Sequence, residues 1–203
     1  MVVLILSLAG CSDRPAENVD GSSVAWFSEE AVSRGITFRH QTGFAGRHLL
    51  PEIVGSGAAL ADFDGDGDLD AYLVQSGSLY DLEQPANQLY INRGDGWFEE
   101  AEDARGAADR GYGMGVAVGD YDNDGDIDLF VTNVGPNAMF RNDGHGYFED
   151  VSIQAGLNDP GWGTAAVFVD LDGDRDLDLF HANYINWSEV TELQCFILSL
   201  IHI

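Results

Sequence analysis

Aspartate occupies every second position in three nine-residue segments, residues 62–70, 120–128 and 170–178. Carboxylates that alternate along a tightly turning loop suit calcium, a hard cation that takes roughly 6 to 8 oxygen ligands. The pattern therefore predicts up to three calcium sites, one in each segment. The candidate ligands are Asp62, Asp64, Asp66, Asp68, Asp70, Asp120, Asp122, Asp124, Asp126, Asp128, Asp170, Asp172, Asp174, Asp176 and Asp178.

Each position of the segment has an expected role. Positions 1, 3 and 5 supply carboxylates, position 7 offers its backbone carbonyl, and position 9 closes the site as a bidentate carboxylate. Position 6 is Gly67 or Gly125 in the first two segments, where glycine permits a sharp turn, but Arg175 in the third. A side chain at a positive φ costs about 1 kcal/mol, so the third site is expected to be the weakest.

The acidic segments have three alternative interpretations. An EF-hand needs glutamate at position 12 and flanking helices, whereas position 12 here is Leu73, Val131 or His181, which excludes that motif. Magnesium stays open, although it prefers fewer protein ligands and more water. An acidic hairpin without an ion also stays open, but crowded carboxylates repel one another strongly without a counter-ion.

The overall composition supports a protein that binds cations. The 203-residue chain is 45% hydrophobic and carries a net charge of -26, and all of its basic residues are arginine. A hydrophobic content of this size supports a folded core. A strongly acidic chain lacks the basic face that nucleic acid requires, so no nucleic-acid partner is expected.

The acidic segments belong to a longer internal repeat. A phenylalanine is followed eight residues later by glycine in copies that begin at Phe27, Phe98 and Phe148, and an asparagine-led segment with a glycine turn begins at Asn87 and Asn137. The asparagine and phenylalanine landmarks of the last two copies are each 50 residues apart, whereas the first two acidic segments are 58 apart. Such a period indicates repeated supersecondary units.

The unit has the pattern of strands. Short β-rich runs at residues 71–74 and 129–132 lie between clusters of glycine, asparagine and aspartate, which is typical of strands joined by tight turns. Four predicted strands per unit at this period match a β-propeller blade. The sequence thus predicts an all-β fold with about two and a half propeller-type blades, too few to close a ring.

This combination of motifs resembles the FG-GAP and VCBS repeats. The resemblance rests on residues 113–125, on Asn142, Asp143 and Gly144, and on residues 148–151. More narrowly, residues 35–40 and 50–52 are similar to the bacterial ASPIC/UnbV proteins, relatives of cartilage acidic protein. The resemblance covers residues 26–187 and implies a secreted or surface propeller whose fuller relatives have more blades and a C-terminal domain.

The N-terminal residues predict export. Residues 2–9 form an apolar run, and residues 8–11 resemble a bacterial lipobox that ends at a lipidated Cys11; an ordinary signal peptide or a buried apolar strand is the alternative. Residues 12–25 are polar and suit a flexible tether. We expect the repeats to span residues 26–190 and interpret residues 191–203, which continue no repeat element, as the product of a truncated reading frame.

The expected function is binding without catalysis. The five histidines are scattered, and no local nucleophile motif accompanies them. We expect a calcium-binding propeller module of a surface lipoprotein in the bacterial envelope, attached to the membrane only through lipid and serving as a scaffold for an unknown protein or glycan. Two alternatives are the accessory repeats of a secreted hydrolase and an adhesin that recognises glycan or matrix.

Overall fold

A computed structural model describes residues 27–80, 84–157 and 159–188. The predicted lipid-attachment residue Cys11, the tether and the predicted tail at 191–203 lie outside the described residues. Within the described ranges, no helix is both long enough and apolar enough to cross a membrane.

The repeat region is built from short antiparallel strands. Residues 27–57 contain two 3-10 helices and no strand, so the first, irregular copy of the phenylalanine-to-glycine motif, which begins at Phe27, does not form one. The 3-10 helices are Val32–Arg34, Leu50–Ile53 and Glu102–Gly106. The strands are β1 Ala58–Ala61, β2 Asp70–Leu73, β3 Gln88–Asn92, β4 Phe98–Glu100, β5 Tyr112–Gly119, β6 Asp128–Val134, β7 Ala138–Asn142, β8 Phe148–Asp150, β9 Gly163–Val169 and β10 Asp178–Asn183.

These strands form two complete blades and the start of a third. Strands β1 to β4 form one four-stranded sheet in chain order, β5 to β8 form a second, and β9 pairs with β10. Every pairing is antiparallel. The predicted all-β fold with four-stranded, propeller-type blades is therefore confirmed.

The order of strands within a blade follows the sequence motifs. The acidic loop joins the first strand of each blade to the second, as Ala61 pairs with Asp70 and Gly119 with Asp128. A glycine turn joins the third strand to the fourth, and its glycines have the predicted positive φ, for example 84° at Gly94 and 77° at Gly96. Each phenylalanine-led strand is three residues long; the segment Glu102–Gly106 follows β4, and a turn at residues 152–156 follows β8.

The core lies between neighbouring blades. Tyr72 of β2 is fully buried in a cluster with Leu129 and Val131 of β6. One repeat later, Phe130 is 1% exposed and packs with residues of β9 and β10, including Phe168. Each blade thus buries the central apolar residues of its second strand under the blade that follows.

Candidate metal centres

The first aspartate of each acidic segment folds the loop around its own carboxylate. We call residues 62–70 loop 1, residues 120–128 loop 2 and residues 170–178 loop 3. Asp62 accepts hydrogen bonds from the backbone N–H groups of Gly65 at 2.9 Å and Gly67 at 2.9 Å. Asp120 accepts corresponding bonds from residues 124 and 125, and Asp170 from residues 173 and 175. A carboxylate that accepts two or three N–H groups at a fixed point sets the path of the turn.

Two positions in each loop require a left-handed backbone. The predicted position 6 has φ 95° at Gly67, 98° at Gly125 and 83° at Arg175, so the condition for strain at Arg175 is met. Position 4 was missed, although it also has positive φ in all three loops, including 61° at Asn123. The signal was present in the sequence, because position 4 is glycine, asparagine and glycine, the residues that tolerate this conformation best.

The ninth aspartate is part of the blade as well as of the loop. Asp128 is fully buried and accepts the N–H of Tyr121 at 3.1 Å and that of Asn142 at 2.8 Å, one on each oxygen. Asp70 is equally buried and accepts two backbone N–H groups in the same way. Each carboxylate oxygen keeps one lone pair for a cation, so position 9 connects the loop to the third strand of its blade.

Burial shifts the protonation of these carboxyl groups. Desolvation raises the pKa of Asp128 to about 6, and the hydrogen bonds from the backbone of Asn142 and Tyr121 oppose this shift. Desolvation likewise raises the pKa of Asp70. The pKa of Asp122 is raised by desolvation and then by the neighbouring charge of Asp124. Gathering anions at a partly dry turn disfavours their charged form.

The seventh aspartate turns its side chain away from the loop centre. A Cβ atom added to Gly144 would lie 2.5 Å from Oδ2 of Asp126, so this carboxylate lies against the glycine turn of its own blade. Oδ1 of Asp176 accepts a hydrogen bond from the side-chain amide of Asn123 at 3.0 Å. These positions suit the predicted role in which the backbone carbonyl, and not the carboxylate, faces a cation.

In each loop, three carboxylates approach closely enough to share one ion. One oxygen from each member lies within 4.8 Å of the others. The groups are Asp62, Asp64 and Asp66 in loop 1, Asp120, Asp122 and Asp128 in loop 2, and Asp170, Asp172 and Asp178 in loop 3. Asp70, Asp124 and Asp174, although predicted as ligands, lie outside these groups.

The donor set fits a hard divalent cation. Two oxygens on opposite sides of a calcium ion lie about 5 Å apart, which matches the spread within each group. In loop 1, Oδ1 of Asp64 is buried without a hydrogen-bond partner, and an anionic oxygen in that position is unfavourable unless a cation satisfies it. The three members in loop 3 are all exposed, and Arg175 has a positive φ; the weaker site in this loop stays a prediction.

Asparagine side chains were not predicted to support the loops. Asn92 and Asn142 end the third strand of their blades. The glycine turn that follows donates one hydrogen bond to Asn92, from Gly94 N–H, and two to Asn142, from the N–H groups of Gly144 and Gly146. Asn142 also donates to Ile127 O of its own blade at 3.0 Å and to Phe63 O in loop 1 at 2.8 Å. The only sequence signal was the recurrence of asparagine before the turn, which gave no indication of a contact with the neighbouring blade.

The acidic loops coincide with the start of a known protein-family profile. The profile of the FG-GAP-like repeat matches residues 62–131 and again residues 120–181, so both matches begin at the first aspartate of an acidic loop. A search of curated proteins found no match. Because the family profile covers more than half of the chain, this protein belongs to the FG-GAP-like repeat family.

Proposed function

We propose that the chain is a calcium-binding module of propeller-type repeats that acts as a non-catalytic scaffold. The observation that carries this proposal is the recurrence of a three-carboxylate group, with oxygens within 4.8 Å, at the same place in three successive units. Acidic residues that cluster on a surface by chance would not recur at the same place in each blade. The same repeat supports a structural role for the ion, since each group lies between the first two strands of its blade.

The carboxylates of positions 1 and 3 would hold the ion in every loop, joined by Asp66 in loop 1 and by the ninth aspartate in loops 2 and 3. When bound, calcium supplies positive charge that offsets the repulsion among these groups. The surrounding backbone N–H groups already fix the loop, so the chain orders little on binding. Calcium is favoured over magnesium because a set of several protein oxygens suits the larger ion, whereas magnesium keeps more of its water.

Isothermal titration of the metal-free chain tests the metal proposal. We expect up to three calcium ions per chain and clearly weaker binding of magnesium. Asp64→Asn, Asp122→Asn and Asp172→Asn should each remove one site, since each carboxylate belongs to a different group. If calcium gives no binding heat, or if these variants leave the stoichiometry unchanged, the proposal fails.

We further propose that the protein belongs to the ASPIC/UnbV group and resides on the bacterial surface as a lipoprotein. The support is the lipobox-like sequence that ends at Cys11 and the resemblance of residues 35–40 and 50–52 to that group. Calcium is abundant outside cells, where modest affinity is sufficient. Labelled palmitate should be incorporated by the chain in a bacterial host and should be lost in Cys11→Ser; incorporation that survives this change contradicts the anchor.

The scaffold role concerns an unknown protein or glycan partner. The support for this role is the motif content: the recurring acidic residues lie in the loops, where they are candidate metal ligands and not candidate catalytic groups. A glycan array and a cross-linking experiment on whole cells, each with and without calcium, would identify the class of partner. Hydrolysis of a glycan or peptide by the purified chain would contradict the non-catalytic role.

A further inference from the structure

Loop 1 differs from the other loops in its contact with Arg105. Nη1 of Arg105 lies 3.5 Å from Oδ2 of Asp64. The same nitrogen donates to the backbone carbonyl of His145 at 3.0 Å, and the guanidinium lies over the ring of Tyr147 at 5.1 Å from its centroid. Arg105 therefore connects the carboxylate at position 3 of loop 1 with the glycine turn of the next blade.

The position of the Arg105 guanidinium is set by a left-handed backbone segment. Asp103, Ala104 and Arg105 have φ values of 48°, 42° and 51°, a left-handed turn that non-glycine residues rarely adopt. Two features hold the turn in place: Ala104 is buried in the core between the blades, and a Cβ atom at Gly106 would lie 2.2 Å from the carbonyl oxygen of Phe148. Strain of this kind persists only where the surroundings fix it.

Loop 2 has no equivalent of this side chain. The residue that corresponds to Arg105 seven positions after the leading phenylalanine is Ala155 in the following copy of the motif. Asp122, the counterpart of Asp64, is exposed. Arg141, which is electrostatically coupled to Asp122, forms its own salt bridge with Glu149 at 2.6 Å.

We propose that Arg105 is a built-in counter-cation of loop 1, an inference that rests on the proposed calcium function. Without metal, its positive charge offsets part of the repulsion among the loop carboxylates and holds the junction between the first two blades. When calcium is bound, Arg105 and the ion share the carboxylate of Asp64 from opposite sides, and their positive charges repel each other. Loop 1 consequently binds calcium more weakly than it would with a neutral residue at position 105.

Arg105 affects the stability of the metal-free chain and the calcium affinity of loop 1 with opposite signs, so measuring both quantities distinguishes this role from a packing role. Removing the charge lowers the stability of the metal-free chain, because Asp64, His145 and Tyr147 lose their partner. The same change raises the calcium affinity of loop 1, by roughly tenfold for a unit charge a few ångströms from a divalent ion near water. A residue with only a packing role would lower both quantities.

The test uses the full chain with Asp122→Asn and Asp172→Asn, so that calcium binding reports on loop 1. In this background, Arg105→Gln should bind calcium roughly tenfold more tightly by isothermal titration and should melt at a lower temperature without metal. Arg105→Lys keeps the charge and should keep the weaker affinity. The control is Arg110→Gln, which removes an exposed charge that donates to Gln84 O. This contact lies before β3, whose first residue Gln88 pairs with Leu73 at the end of β2 remote from loop 1, so the calcium affinity of loop 1 in this variant should match the background.

Unchanged or weaker calcium binding in Arg105→Gln would overturn the inference. An equal gain of affinity in Arg105→Lys would do the same, because that result assigns the effect to shape and not to charge. If the background chain binds no calcium whereas the wild-type chain does, loop 1 is not a site and the inference falls while the calcium function stands. If the wild-type chain itself binds none, the calcium function falls first.

Discussion

Arg175 holds a backbone conformation that glycine holds in the other two loops, with φ at 83°. Arg175→Gly should relieve this strain, whereas Arg175→Gln removes the positive charge and keeps the strain. We expect the glycine variant to stabilise loop 3 by about 1 kcal/mol relative to the glutamine variant. The difference between the two variants in the free energy of unfolding, obtained from urea denaturation, measures this energy. Equal behaviour of the two would show that the backbone at position 175 is not strained.

The protonation of Asp128 gives a prediction for the metal-free protein. Its pKa of about 6 in the fold exceeds the value of about 3.9 for an unfolded aspartate, so the folded state binds the proton more tightly. The resulting stabilisation is full below pH 4 and is lost as the pH rises through 6. In metal-free buffer, the melting temperature should therefore fall between pH 4.5 and about pH 7 more steeply in the wild type than in Asp128→Asn.

Saturating calcium should oppose this trend, since the ion binds the deprotonated carboxylate. The stabilisation that calcium provides should grow between pH 5 and about pH 7. A pH profile that is the same for the wild type and Asp128→Asn would contradict the assignment to this residue.

At the scale of single residues, the sequence predicted the sharp turn at position 6 of loop 2 but not the surroundings of its last aspartate. Both the alternating aspartates and the glycine at position 6, Gly125 in loop 2, follow local rules of ligand and turn chemistry, so the sequence alone is enough to predict them. The burial of Asp128 was not predicted, because it depends on the N–H of Asn142, which reaches it only after β6 and β7 pair. Pairing across a sheet has no local signal in the loop itself.

Among the elements, the turn after β4 fixes how closely the first two blades approach. Gly106 would clash with the carbonyl of Phe148 if it carried a side chain, whereas Gly156 has a similar positive φ of 70° with nothing within 4 Å. Gly156→Ala should cost about 1 kcal/mol from strain alone. Gly106→Ala should cost roughly 1–3 kcal/mol more, because a strand or a blade has to shift.

Urea denaturation of the two alanine variants measures this difference directly. Gly156 is the matched control because it follows the same motif one repeat later. Equal destabilisation would mean that the blades do not meet at the carbonyl of Phe148.

The two turn asparagines provide a second comparison between elements. Asn92 bonds within its own blade, to Leu69 O, while Asn142 bonds both to its own blade and to Phe63 O in loop 1. Asn142→Ala should therefore destabilise the chain by roughly 1–2 kcal/mol more than Asn92→Ala, because the Asn142 side chain makes two further hydrogen bonds, to Phe63 O and from the N–H of Gly146. Differential scanning calorimetry of both variants tests this expectation, and a larger loss in Asn92→Ala would contradict it.

Most of the elements could be predicted, since hydrophobic runs and glycine turns are local features. The four strands of each complete blade occur in the predicted order. The left-handed turn at Asp103 to Arg105 could not be predicted, because its residues have no preference for positive φ. It is imposed by the docking of Ala104 and Gly106 on the neighbouring blade, and such contacts leave no pattern within the segment.

For the molecule as a whole, stability comes from the interfaces between successive units. Tyr72 and Phe130 are buried by the unit that follows, whereas Phe180, at the same place in the third unit, is 59% exposed. In repeat arrays each unit contacts only its neighbours, so total stability is close to a sum over units and interfaces. The repeat length predicted how many units to expect. The structure shows in addition that loop 1 contacts Asn142 and Arg105, so the loop and the interface between the first two blades are coupled.

The melting temperature of the full chain, measured with and without calcium, tests the central claim most directly. One site saturated at about a hundredfold above its dissociation constant adds about 2.7 kcal/mol, which corresponds to a rise of roughly 5–10 °C for a chain of this size. The wild type should show at least this rise, and the triple variant Asp64→Asn, Asp122→Asn and Asp172→Asn should show none. An unchanged melting temperature in the wild type, or an equal rise in the triple variant, would contradict a calcium-stabilised repeat.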